Sequence, residues 1–273
     1  MPETLTAVIL GFIQGLTEFL PISSSGHLIL AQAAFGLAEP ELAFDVVLHL
    51  GTLAAVFIFY RTTLLNLVRE LRFLPGALAS PTRLRELYQS RPDFRFGLLV
   101  IVGSLPTAVI GLWGKNLVES HLTSVASVGA ALLATGFMMR LIGSRGQDGR
   151  NFLTVKDALF IGLVQGLAIT PGISRSGWTI GAGLWAGLER RVAARYSFIL
   201  SVPAILGAMI LHLKSGLTSG FFSPGDFLAG FLTAALCGCL ALRLLSWLLD
   251  RGRFAVFAWW CWAVGLTALF LSF

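Results

Sequence analysis

Charge is what this sequence has least of: 12% of its 273 residues are Asp, Glu, Lys or Arg, against roughly a quarter in ordinary globular domains. With 56% hydrophobic residues and a mean hydropathy of +0.81, that scarcity excludes a water-soluble domain and predicts an integral membrane protein. Also missing is the roughly 10-residue in–out alternation of an outer-membrane barrel, so the spans are predicted to be helices, whose backbones satisfy themselves in lipid. Cysteine is sparse as well. Cys237, Cys239 and Cys261 fall in apolar runs, without His partners or metal-ligand spacing, and read as packing residues. No basic leader with a short apolar core opens the chain, since Glu3 is the sole charge from Met1 to Thr6, and the first segment is read as mature structure. The net charge of +6 does not point to nucleic acid, because seven Arg lie between Arg61 and Arg95 and most others occupy short inter-helix loops. That distribution is the one that sets membrane orientation.

What is present comes in two matching halves. The apolar blocks of the first are roughly 5–37, 44–60, 96–113 and 123–142; those of the second are 158–188, 196–213, 227–249 and 254–273. Blocks 5–37 and 158–188 are interrupted, at Pro21 to Gly26 and at Pro171 to Gly177. Their pieces fall short of the roughly 20 residues that cross a bilayer, so each is read as a re-entrant hairpin. The arginine-rich linker 61–95 and loop 143–157, with Arg145, Arg150 and Lys156, are assigned to the cytoplasm. The acidic loop 36–43, with Glu39 and Glu41, is then outside, whereas its counterpart 188–195 carries Arg190, Arg191 and Arg195. One hairpin plus three crossings per half inverts the second copy. The predicted fold is therefore all-α: a polytopic membrane protein with an inverted-topology repeat, two re-entrant hairpins and six transmembrane helices. Repeat one covers 1–142 and repeat two 158–273, in one integrated membrane domain with both termini outside. Linker 61–95 is expected to form a surface helix and turns.

The repeat is visible residue by residue. GFIQGLTEFLPISSSGH, from Gly11 to His27, and GLVQGLAITPGISRSGW, from Gly162 to Trp178, share eight identities at a spacing of 151. The differences carry chemistry: Glu18, Ser24 and His27 face Ile169, Arg175 and Trp178. Gln14 and Glu18 lie one helical turn apart on one face, a carboxylate and an amide oxygen suited to a hard divalent cation shared with phosphate. A Glu18–Arg175 structural ion pair is the plainer reading of the same charges. Ser23, Ser24 and Ser25 stand at a helix start, where hydroxyls and N–H groups bind anions, and Ser24 lies three residues from His27, as a nucleophile from its base. Arg175 can fork onto two phosphate oxygens, with Ser174, Ser176 and Thr179 beside it. Asp45 and His49 read as an interfacial cap, or as support for His27. Trp259, Trp260 and Trp262 read as lipid-facing or packing groups.

In order along the chain, Gln14-Gly-Leu-Thr-Glu18, Pro21-Ile-Ser-Ser-Ser-Gly-His27, Phe44-Asp-Val-Val-Leu-His-Leu-Gly51 and Pro171-Gly-Ile-Ser-Arg-Ser-Gly-Trp-Thr179 resemble the undecaprenyl pyrophosphate phosphatase family of bacteria, the bacitracin-resistance type. The resemblance covers essentially the whole chain. It implies removal of the terminal phosphate from a polyprenyl pyrophosphate, giving the lipid carrier for cell-wall synthesis, in the bacterial inner membrane and dependent on a divalent cation such as Mg²⁺, with Ca²⁺ or Mn²⁺ as substitutes. Carried onto this chain, Gln14 and Glu18 are the metal and acid/base motif, Ser24 a nucleophile or phosphate ligand, His27 a base or alternative nucleophile, and Arg175 the phosphate clamp. The substrate-binding set is Ser23, Ser25, Ser174, Ser176 and Thr179, with the site opening to the periplasmic side. Two departures stand out: Gln14 occupies a position where many members have a second Glu, and Trp178 replaces a usually small residue. A transporter or flippase of phosphorylated lipid, or an anion channel, is the alternative that an inverted repeat allows. Membrane lipids are expected partners, nucleic acid is not, and a homodimer is left open.

Overall fold

Proline, glycine and serine punctuate an otherwise continuous apolar chain, and the helices start and stop at them. The computed structural model describes residues 3–36, 42–143, 148–214 and 222–272. α1 (Glu3–Phe19) stops before Pro21, and α2 (Ser24–Ala34) starts from Ser23, whose hydroxyl accepts the Gly26 N–H. α3 (Leu42–Phe59) is followed by α4 (Arg61–Glu70), a 3₁₀ turn (Leu71–Phe73), α5 (Leu74–Ala79) and α6 (Pro81–Ser90). Then come α7 (Pro92–His121) and α8 (Val125–Ile142). The second half repeats the order with α9 (Val155–Leu167), α10 (Arg175–Trp185), α11 (Arg190–Lys214), α12 (Pro224–Asp250), a 3₁₀ turn (Phe254–Val256) and α13 (Phe257–Leu271). Among the described residues there is no strand, only an isolated bridge between Arg150 and Leu188, so the expected all-α class holds.

Among the described residues, five stretches are long and apolar enough to cross a bilayer: Pro92–Gly114, Val125–Ile142, Arg190–Leu211, Pro224–Asp250 and Phe254–Leu271. A sixth is reached if α3 is counted together with 61–79, from which it is bent by 82°. α1, α2, α9 and α10, at 17, 11, 13 and 11 residues, are each shorter than the roughly 20 a crossing needs. Several boundaries differ from expectation. The block placed at 96–113 is a 30-residue helix that starts at Pro92, where proline is tolerated at a first turn, and carries Pro106 inside. The block placed at 196–213 starts at Arg190, and linker 61–95 contains three short helices rather than one. Glu39, Glu41 and Arg145 lie outside the described residues.

Packing crosses between the halves. α1 lies against α12 and α9 against α7, and the duplicated glycines make both approaches close. A Cβ at Gly11 would come within 2.6 Å of the Gly230 carbonyl oxygen, and one at Gly15 within 2.6 Å of Cys237 Cβ. In the other copy the equivalent glycines do the same: Gly162 abuts Gly103, and a Cβ at Gly166 would sit 2.8 Å from Ile110 Cβ. Gly103 and Gly230, and likewise Ile110 and Cys237, stand 127 positions apart, so the two interfaces share one register. Small residues of this kind let helix backbones approach where lipid gives no hydrophobic drive to association. α8 meets α13 through a reciprocal pair, a Cβ at Gly129 facing the Gly265 oxygen and one at Gly265 facing the Gly129 oxygen, each at 2.9 Å.

Candidate functional site at the two helix breaks

The two breaks are in contact, and the bonds between them are made largely by the duplicated serines. Ser23 accepts the Gly172 N–H at 3.1 Å, and the Ser176 hydroxyl donates to the Leu20 carbonyl at 3.4 Å. The turn of copy one holds Ser23 at φ 71, a conformation that strains a residue with a Cβ by about 1 kcal/mol or more. In copy two the positive φ falls instead on Gly172, which carries no such penalty. Thr135 of α8, fully buried, fastens that second break: it donates to the Gly172 carbonyl at 3.0 Å and accepts from the Ser174 N–H and the Trp178 indole, both at 3.2 Å.

Across this junction Glu18 is the hub. One of its oxygens is paired with the Arg175 guanidinium of the opposite copy. The other accepts from Ser24 Oγ at 2.6 Å and from Gln14 Nε2 at 3.0 Å, with His49 Nε2 3.9 Å away. The carboxylate is 6% exposed and the guanidinium 16%, so both charges are largely withdrawn from solvent and each depends on the other. Two groups in the cluster are left over. Gln14 Oε1 and Arg175 Nη1 are buried without hydrogen-bond partners, an acceptor and a cationic donor on two side chains that both bond Glu18. Buried polar groups are paired in the great majority of cases, and the pair lacking here is what a phosphate and its counter-ion would supply.

The residues singled out in the sequence divide between this hub and its scaffold. Gln14, Glu18, Ser24 and Arg175 are brought together directly. Ser24 bonds Glu18 rather than His27: the His27 ring uses Nδ1 on the Ser23 carbonyl at 2.8 Å and Nε2 on the Trp260 indole N–H at 2.9 Å. Because an indole N–H can only donate, His27 is held as the tautomer protonated on Nδ1. Ser23, Ser174 and Ser176 are engaged in the caps and the inter-break bonds just described, and the buried Thr179 hydroxyl bonds the Arg175 carbonyl and Ser197. Ser25 is half-buried. His49 lies beside Glu18, not beside His27, with its Nδ1 on the Asp45 carbonyl at 2.8 Å, while the Asp45 carboxylate accepts from Gln32 at 2.9 Å.

Sequence reasoning missed Thr135 and the role of Trp260. The only signal for either was a polar or indole group within an apolar run. Among the described residues no three His, Cys, Asp or Glu side chains gather as a metal cluster. The Glu18 carboxylate and the orphaned Gln14 oxygen, one turn apart, nevertheless fit a hard cation whose remaining ligands come from phosphate and water.

Comparison with known proteins adds a family to this geometry. The model of the family described as bacitracin resistance protein BacA matches residues 7–267. An undecaprenyl-diphosphatase of Desulforapulum autotrophicum is 46% identical over 273 residues, spanning 99% of this chain and 99% of that protein. Those of Desulfosudis oleivorans and Methanosphaera stadtmanae are 43% and 41% identical, again over 99% or more of both chains.

Proposed function

This chain belongs to the bacitracin resistance protein BacA family, and on that premise we propose that it is an undecaprenyl-diphosphatase whose reaction centre is the junction of Glu18, Ser24 and Arg175. The observation that carries the assignment is the 2.6 Å bond from Ser24 Oγ to Glu18, made at the point where the opposite copy delivers a guanidinium with a free N–H edge. The pyrophosphate enters between the breaks and takes Arg175 from Glu18, using the guanidinium fork and the N-terminus of α2. Glu18, its other oxygen released by Arg175, becomes the base for Ser24 through the oxygen that already accepts the Ser24 hydroxyl.

The reaction then runs in two displacements. Ser24 Oγ bonds the terminal phosphorus as its proton passes to Glu18, and the bridging P–O bond breaks with its electron pair leaving on the lipid monophosphate. Glu18 returns the proton to that leaving group. In the second step Glu18 takes a proton from water, whose oxygen attacks phosphoserine; the P–Oγ bond breaks with its electron pair on Oγ, Glu18 gives its proton to that oxygen, and inorganic phosphate leaves with the Ser24 hydroxyl and the Glu18 carboxylate restored. His27, with both nitrogens engaged, orients the turn rather than taking the serine proton. A divalent cation, Mg²⁺ or in its place Ca²⁺ or Mn²⁺, would be held by Glu18 and Gln14 and would neutralise phosphate charge.

The repeat is read as inverted, supported by the shared register of α1 on α12 and α9 on α7 and by the reciprocal contact of Gly129 with Gly265. With the arginine-rich linker on the cytoplasmic side, the first hairpin enters a bacterial inner membrane from outside and the site faces the periplasm, with both termini outside. A transport role alone would leave unexplained why the acid and hydroxyl sit on one copy and the cation on the other.

The test is phosphate release from undecaprenyl diphosphate by purified protein with Mg²⁺, combined with rapid quenching and mass spectrometry of the Ser24 peptide. Ser24→Ala and Glu18→Gln should each lose roughly 10³-fold or more in turnover. Turnover of Ser24→Ala within tenfold of wild type would exclude the serine as nucleophile.

A further inference from the structure

Where α3 ends, the chain turns by 82° into residues 61–79, so this arm runs nearly at right angles to the apolar helix before it. Its inward face is anchored. Leu64 and Leu67 pack on the main core, Asn66 donates to Asp93 at 3.1 Å, and the Arg91 fork holds Glu70 with two bonds of 2.7 Å. Its outward face carries Leu65, Val68, Leu71 and Leu78, 55–78% exposed, interleaved with the exposed Arg61, Arg69 and Arg72. The one acid in this stretch, Glu70, is turned inward onto Arg91. Between the arm and α7 runs a groove of about 200 Å³, lined by Leu64, Leu67, Leu71, Leu74, Leu98 and Ile101.

An apolar stripe flanked only by arginines, on an arm turned away from the preceding apolar helix, is the pattern that binds an anionic lipid surface. We infer that this arm is a binding site for anionic phospholipid: an acyl chain lies in the groove and the headgroup phosphates lie among Arg61, Arg69 and Arg72. Continuity with the spans favours lipid over a soluble partner. The wall of the groove opposite the arm is α7, an apolar helix long enough to cross a bilayer.

Hydrogen exchange of segment 61–79 tests this in nanodiscs of phosphatidylcholine alone and of phosphatidylcholine with phosphatidylglycerol, with native mass spectrometry of retained lipid. Exchange should slow several-fold in the anionic discs. The combined Arg61→Gln, Arg69→Gln, Arg72→Gln variant should lose both that difference and the bound phosphatidylglycerol while keeping wild-type turnover in detergent, which certifies its fold. Equal exchange in the two lipids for the unmodified chain, or a difference that survives in the variant, would overturn the inference. So would protection that appears only when a disc holds two copies of the chain.

Discussion

Replacing Arg175 by lysine keeps a positive charge opposite Glu18 and removes the fork. In the resting site one guanidinium nitrogen pairs with Glu18 and the other is buried and free for phosphate, an arrangement that a single ammonium cannot reproduce. The substitution therefore removes one charge-assisted hydrogen bond to the substrate, worth about 1.5–3 kcal/mol. At 1.4 kcal/mol per decade this is a fall of roughly 10- to 150-fold in kcat/KM. Stability should change little, because Glu18 keeps a cation. Arg175→Ala differs in kind: it strands a carboxylate that is 6% exposed and should destabilise the protein by about 3–5 kcal/mol while abolishing turnover. Phosphate release at several substrate concentrations, alongside thermal unfolding in detergent, separates the two effects. If Arg175→Lys keeps kcat/KM within threefold of wild type, the guanidinium is not the phosphate clamp and its pairing with Glu18 is structural.

Thr135→Val should lower the unfolding midpoint, at roughly 1–3 kcal/mol for each of the buried groups it leaves unpaired, and should reduce kcat by loosening the turn that carries Arg175; an unchanged midpoint would refute the clamp role. Gly162→Ala pushes a methyl into the Gly103 backbone and should destabilise by about 1–3 kcal/mol. Gly207→Ala, whose Cβ meets nothing within 4 Å, is the matched control and should be neutral or mildly stabilising. The Arg91 fork holds the Glu70 carboxyl below its ordinary value of 4.5, so its stabilisation of the arm is complete above that pH and is lost as pH falls through the lowered folded value. Limited proteolysis of segment 61–91 across an acid series should show this step in the wild-type chain and not in Arg91→Ala.

The breaks were legible because their signals are local. Pro21 and Pro171 each lie within a few residues of a helix end, and Ser23 and Ser174 cap the next, so the breaks at 20–23 and 168–174 overlap those read at 21–26 and 171–177 but end earlier, with Ser24 to Gly26 and Arg175 to Gly177 already helical. The Glu18–Arg175 meeting was legible for a different reason: two rare buried charges beside the matching breaks of a repeat, one before its break and one after, have few other partners. What was not legible is register between distant helices. His27 and Trp260 are 233 positions apart, and nothing near either announces the other; the placement of His49 by Glu18 likewise depends on how α3 sits against α1. Pro106, read locally, argues against a 30-residue helix, yet the helix continues through it, with the adjacent Thr107 donating to the Gly162 carbonyl of α9 at 2.8 Å.

The crossed packing of α1 on α12 has a consequence for synthesis. About two hundred residues separate the end of α1 from the start of α12, which at 5–20 residues per second is roughly 10–40 s of translation. Throughout that interval the first hairpin, with its glycine face, has left the ribosome without the helix that covers it, and for about three quarters of it Glu18 is also without Arg175. The nascent chain thus passes through a long stage in which its acidic half is present and its neutralising half is not, and a membrane-resident chaperone or insertase has the greatest scope to act on this protein during those seconds.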